Sequence, residues 1–227
     1  MLLEKNLEII RERIALACSK VDRDPSSVRL IAVSKTQPTE LITKALALGQ
    51  LDFGENRVQE MVQKANELPE GLIWHMIGTL QTNKIRLMAP FVSYIHSIST
   101  VEALREVSKR AGLHKRVINV LIQINISKES QKSGCEPDEL KRLLLEAKML
   151  DGLSVCGLMG IASLEQDPEK VREQFRLLRA LKEEHQPFTT TNISLHELSM
   201  GMSHDMEVAI EEGATMVRVG SALFGER

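Results

Sequence analysis

"VRLIAVSKTQPTELITKALALG", residues 28 to 49, contains both repeating parts of this chain. Its first seven residues are nearly continuous in apolar character and rich in β-branched side chains, which reads as a strand covered on both faces. Pro38 leads into a helix-forming run, and Gly49 is a natural stop for it. Between the two stands Lys35. Alternation places Ile31, Val33 and Lys35 on one side of the strand and Leu30, Ala32 and Ser34 on the other. An ammonium at the inner side of a strand end is costly unless a ligand or carboxylate compensates it. Burial would lower its pKa and favour a neutral nucleophile able to attack an aldehyde. The plainer alternative is a buried stem whose ammonium reaches water.

The same unit recurs along the chain. "LDFG" (51–54), "LIWHMIG" (72–78), "VSYIHSIS" (92–99), "RVINVLIQINI" (116–126), "LSVCGLMGIA" (153–162), "ISLHELSMG" (193–201) and "TMVRVGSALFG" (215–225) are the further strand candidates. Helix-like segments separate successive members, and an amphipathic segment with Leu3, Leu7, Ile10, Ile14 and Ala17 on one face precedes them all. Alternation of this kind predicts a parallel sheet with helical crossovers. Eight strands favour closure into a barrel over an open, doubly wound sheet. No Gly-, Ser- or Pro-rich linker interrupts the order, so one domain spanning 1–227 is expected.

Composition narrows the function. Aromatics make up 3% of the chain, which argues against a stacking platform for single-stranded nucleic acid. The formal charge of -2 argues against a basic footprint, and "KRAGLHKR" (109–116) reads as a solvated helix end. No run approaches the roughly 18 to 20 apolar residues of a membrane helix. The N-terminal stretch lacks the apolar core of a secretory signal. Cys18, Cys135 and Cys156 are few, odd in number and dispersed, which fits a reducing cytoplasmic setting better than a disulfide framework.

In either parallel architecture, ligands gather beyond the carboxyl ends of the strands. That rule puts Lys35, Asn56, His75, Gly78, His96, Asn125, Met159, Ser199 and Arg218 near a common rim. "SMGMSHD" (199–205) offers backbone N–H groups and the Ser203 hydroxyl to an anion; the alternative is capping, with Ser203 as N-cap. "VRVGSALFG" (217–225) repeats the arrangement with Gly220 and Ser221, and Arg218 needs an acceptor, either a carboxylate or a ligand. These stretches and Lys35 belong to strands 7, 8 and 1, which become neighbours only if the barrel closes. The four rim histidines, His75, His96, His196 and His204, lack metal-ligand spacing and read as hydrogen-bonded packing groups.

Several stretches also carry a resemblance. "IAVSKTQP" (31–38), "FGENRVQE" (53–60), "WHMIGTLQTNK" (74–84), "IHSI" (95–98), "KSG" (132–134), "GLMGIA" (157–162), "ELSMGMSHD" (197–205) and "VRVGSALFGER" (217–227) occur in an order that resembles the pyridoxal 5'-phosphate (PLP) homeostasis proteins. These are single-domain relatives of the alanine racemase N-terminal barrel. Gln37 departs from the lysine more usual there. The resemblance implies a (β/α)8 TIM barrel with an extra N-terminal helix, and PLP held covalently as an internal aldimine on Lys35. It implies phosphate contacts from Ser203, Gly220 and Ser221 with Met202 close by, and Arg218 at the pyridine nitrogen. Asn56 is implied at the ring and His204 at the phosphate loop. An arginine disfavours a protonated pyridine, which weakens it as an electron sink. The expectation is therefore intracellular PLP homeostasis and amino and keto acid balance by a monomeric, non-catalytic carrier. It carries no nucleic-acid, membrane or metal role, and transient contact with PLP-dependent apoenzymes or a regulatory protein fits it. The alternatives are a PLP-dependent racemase or lyase and a PLP-responsive interaction regulator.

Overall fold

The protein's structure, a computed structural model, describes residues 2–127, 133–165 and 167–225. Lys132 of the Lys-Ser-Gly stretch and the last two residues of the C-terminal stretch lie outside the described residues. Eight parallel strands form a closed barrel: β1 (Arg29–Val33), β2 (Asp52–Glu55), β3 (Ile73–Met76), β4 (Tyr94–Ile98), β5 (Ile118–Ile124), β6 (Leu153–Gly160), β7 (Ile193–Ser199) and β8 (Met216–Val219). Closure is made by β1 against β8, with Ile31 opposite Arg218 and Ala32 opposite Val219. The open sheet is thereby excluded.

The helices are α1 (Leu2–Ser19), α2 (Thr39–Ala47), α3 (Val58–Glu67), α4 (Ile85–Met88), α5 (Val101–Leu113), α6 (Leu140–Ala147), α7 (Pro168–Glu184), α8 (Met206–Glu211) and α9 (Ser221–Phe224). Each longer crossover follows its apolar periodicity and covers the outside of the sheet. Val171, Phe175, Leu178 and Leu181 are buried along α7, for example. The helix-like segment expected between β3 and β4 shrinks to a 3-10 turn at Thr82–Lys84 and the single turn α4. The expected capping of α8 by Ser203 is also absent. Asp205 occupies that position, and its Oδ1 accepts from the Met202 N–H at 2.6 Å.

The extra helix α1 buries Leu7, Ile10, Ile14, Ala17 and Cys18. It packs on α8 and α9. The Arg13 guanidinium donates to Glu207 at 2.6 and 3.1 Å and to the Ser203 carbonyl at 3.0 Å; Asn6 donates to the Leu223 carbonyl at 2.9 Å. An N-terminal helix thus ties down the two loops at the end of the chain. No described helix is long and apolar enough to cross a membrane.

Candidate functional site

The turn after β1 explains where Lys35 goes. Strand pairing persists for one residue past β1, since the Ser34 N–H reaches the Gly54 carbonyl at 3.0 Å. The chain then turns, and Thr36 adopts a left-handed φ of 61°, a strained state for a β-branched residue. A buried ionic cluster holds that turn from behind. Lys64 Nζ donates to the Ser34 carbonyl at 2.7 Å, Glu55 Oε1 at 2.8 Å and Glu60 Oε1 at 2.7 Å, so its three protons each have a partner. Ser34 Oγ donates to Glu55 at 2.7 Å, and the Thr36 N–H donates to Glu60. Burial pushes Glu55 above the usual carboxylate range despite these bonds. Burial acts the same way on Glu60, but Lys64 and the Thr36 amide outweigh it and hold that carboxyl low.

Lys35 itself is exposed. Of the two readings, this favours the ammonium that reaches water over the buried amine: β1 ends at Val33, and Lys35 lies in the turn that follows.

The C-terminal loops approach from the other side of the seam. Gly201 has φ +90°, and a Cβ there would lie 2.6 Å from the Ala209 Cβ, so only glycine lets the post-β7 loop sit against α8. Ser203, which follows, is half-buried and is held through its carbonyl by Arg13. After β8, Gly220 leads into α9, whose first hydrogen bond runs from the Leu223 N–H to the Gly220 carbonyl at 2.9 Å. The N–H groups of Ser221 and Ala222 precede it and have no partner within the helix. With α9 four residues long and α8 six, their macrodipoles are short. An anion here would be held by hydroxyls and individual amides.

Lys35, Asn56, Met202, Ser203, His204, Arg218, Gly220 and Ser221 all line one cavity of about 600 Å³ over the carboxyl ends of β1, β2 and β8. Sequence reasoning missed Val33, Ile77 and Ile161, which line it as apolar walls, and Gln37 lines it as well. Asn56 reaches the wall because Gly78 lacks a side chain: a Cβ there would lie 2.2 Å from the Asn56 carbonyl oxygen.

Arg218 forms the floor and is 4% exposed. Within the protein its hydrogen bonds go to no carboxylate among the described residues. Nη1 donates to the Ser199 carbonyl at 2.8 Å and Ser199 Oγ at 2.7 Å, and Nη2 donates to the Gly160 carbonyl at 3.1 Å. Burial brings its pKa down to about 10, which leaves the guanidinium charged at neutral pH.

Two of the histidines assigned to the rim are not there. His75 and His96 are fully buried and hydrogen-bonded to each other at 2.9 Å inside the barrel. Ser199 is buried with them, while Met159 packs against Leu121 and Cys156. His196 is exposed on β7. No cluster of three or more His, Cys, Asp or Glu suited to a metal occurs among the described residues. The three cysteines are free and buried, and burial raises Cys135 and Cys156 to about 12, so neither is a ready thiolate. The Lys64 cluster was also missed, although the four-residue spacing of Glu60 and Lys64 on one helix was visible.

An amine, two hydroxyl-bearing side chains and a fixed guanidinium line one cavity. That donor set suits a small phosphate ester carrying an aldehyde and a ring acceptor. Comparison with known proteins points the same way. Residues 6–227 match the family described as "Alanine racemase, N-terminal domain". The chain is 44% identical over 224 residues to the "Pyridoxal phosphate homeostasis protein" of Aquifex aeolicus, covering 98% of this chain and 97% of that one. Among solved structures, PipY of Synechococcus elongatus PCC7942 with PLP bound superposes with a TM-score of 0.82 at 38% identity, covering 95% of this chain and 100% of PipY. The same protein without PLP gives 0.85. The chain belongs to the pyridoxal phosphate homeostasis protein family, a branch of the alanine racemase N-terminal domain family.

Proposed function

We propose that residues 1–227 form one PLP-binding barrel domain that holds the cofactor reversibly and buffers its supply, and with it amino and keto acid balance, without catalytic turnover. The observation that carries this reading is the convergence of Lys35, the Ser203 and Ser221 hydroxyls and Arg218 on one cavity. Lys35 forms a C=N bond to the aldehyde carbon with loss of water. Ser203, Ser221 and the amides around Gly220 take the phosphate, while Met202 and His204 close the side of that loop. Asn56 lies along the ring. When bound, PLP supplies an electrophilic carbon that captures amines and can withdraw electrons through its ring.

The exposure of Lys35 suits a reversible carrier, because water and incoming amines reach the attachment point. Arg218 works against catalysis. A guanidinium only donates hydrogen bonds, so it pairs with an unprotonated ring nitrogen and leaves the ring a weaker electron sink. Proton removal at a substrate α-carbon also needs a placed base. Tyr94, the single tyrosine, is stacked on His75 with centroids 4.6 Å apart and does not line the cavity. The buried free cysteines fit a reducing cytoplasmic location. The protein acts as a monomer in this reading, and the exposed Lys35 supports transient transfer to apoenzymes.

Reduction of the PLP-loaded protein with borohydride followed by peptide mapping tests the attachment. The label is expected on Lys35 and is lost in Lys35→Ala. A label on another lysine in the wild type overturns the assignment, and sustained racemisation or lyase turnover that disappears in Lys35→Ala overturns the non-catalytic reading.

A further inference from the structure

Inside the barrel a row of polar side chains links the floor of the cavity to the opposite end of the sheet. Arg218 Nη1 donates to Ser199 Oγ at 2.7 Å, and Ser199 Oγ lies 2.9 Å from His96 Nδ1. His96 Nε2 lies 2.9 Å from His75 Nδ1, and His75 Nε2 lies 2.9 Å from Asp52 Oδ1. The five residues come from β8, β7, β4, β3 and β2, so the row crosses the bore and does not follow one strand.

Its two ends determine its direction. A guanidinium only donates and an ionised carboxylate only accepts. Asp52 therefore takes the His75 Nε2–H. With that ring neutral, His75 Nδ1 must accept, so His96 donates through Nε2–H. His96 Nδ1 then accepts from the Ser199 hydroxyl, whose oxygen accepts from Arg218. Every hydrogen points from the cavity towards Asp52. Neutral rings are also what burial favours: both imidazoles are pushed below their ordinary pKa by desolvation, and His96 further by the neighbouring His75 and Arg218. Other charged groups frame the far end. Arg29 sits 3.8 Å from Asp52 and 5.3 Å from the Tyr94 ring centre, and Glu197 acts on both Arg29 and His75. At the cavity end Asp205 favours the charged guanidinium through space.

We propose that Asp52, His75, His96 and Ser199 are positioning residues for Arg218: a one-way hydrogen-bond row that fixes its guanidinium as a charged donor at the cavity floor. Among the described residues no carboxylate bonds Arg218 directly, and this row is its connection to one. The role towards PLP rests on the functional reading above; the direction of the row does not.

Two measurements test it. Long-range proton–nitrogen correlation on the ¹⁵N-labelled protein without ligand reports which ring nitrogens carry hydrogen. Both His75 and His96 are expected neutral at pH 7 with hydrogen on Nε2; an imidazolium, or hydrogen on Nδ1 of either ring, overturns the row. The second compares His96→Leu with His96→Gln in PLP titrations read by absorbance. Breaking the charge-assisted bond network with Leu is expected to weaken binding by about tenfold or more and shift the ligand band. Gln, which both donates and accepts, is expected to recover most of both. Equal loss in the two variants, or loss in neither, overturns the positioning role. A wild type that takes up no PLP at Lys35 instead overturns the functional reading and leaves the tautomer result standing.

Discussion

The layer between strands and helices and the bore inside the strands are both buried, yet they are filled by different chemistry. In the outer layer Phe53, Met61, Met88, Ile95, Phe175 and Ile210 are within 1% of complete burial and pack as one apolar cluster. In the bore, His75, His96, Gln123, Ser199 and Arg218 are equally hidden, beside a small apolar group of Leu121, Cys156 and Met159. The outer layer holds the fold together by removing apolar area from water. The bore spends burial on polar groups, and each is tolerable only because it has a partner. What separates them is the buried Arg218, which lines the cavity above and whose charge is hydrogen-bonded from beneath.

Variants in the two layers should differ in kind as well as size. Phe175→Ala, in the outer layer, is expected to lose about 3 to 5 kcal/mol of stability by leaving a cavity, while the spectrum of bound PLP stays unchanged. Chemical denaturation and absorbance together check this, and an altered spectrum would break the distinction. Lys64→Met tests an ionic intrusion into the outer layer. Removing the partner of the buried Glu55 carboxyl is expected to destabilise by about 3 kcal/mol and to loosen the Lys35 turn. Slower imine formation in stopped-flow mixing with PLP would report that loosening.

A smaller effect comes from the bore through pH. His75 and His96 have pKa values below the ordinary 6.5 in the fold, so the unfolded chain binds more protons as pH falls. Their contribution to stability is intact above about pH 6.5 and is lost as pH drops, by up to about 1.4 kcal/mol per pH unit for each ring. His96→Gln should flatten the fall in denaturation free energy as pH drops from 6 to 5; an unchanged slope would show that the His96 ring is not held neutral by the fold. Least of all, Thr100→Ala removes the N-cap bond to the Ala103 N–H at 3.2 Å on α5. About 1 kcal/mol of stability should go, with pH slope and PLP affinity untouched.

Much of the outer layer was readable in the chain. Each strand carries a short apolar run and each longer helix an apolar stripe, because both elements bury their faces with a fixed local period. Closure followed from counting eight units and brought strands 1, 7 and 8 together before any coordinates. The glycine- and hydroxyl-bearing loops stood out for a similar reason, since a tight approach to an anion restricts which residues fit. Lys35 stood out for its position, but the chain left open whether its ammonium is buried or reaches water, because the turn at Thr36 depends on Lys64 and Glu60 in another element.

The bore was the unreadable part. His96 and Ser199 are 103 residues apart, and His75 and His96 are 21 apart. No local period announces such partners, and strand alternation alone put them at the rim. The amino-acid sequence by itself determined the alternation of strands and helices, the barrel and the residues that ring its mouth, since these rest on short-range periodicity and backbone preference. Only the tertiary structure decided which polar groups meet inside the barrel and what holds Arg218 in place, because a hydrogen bond needs donor and acceptor placed to within a few tenths of an ångström, and these partners lie far apart in the chain.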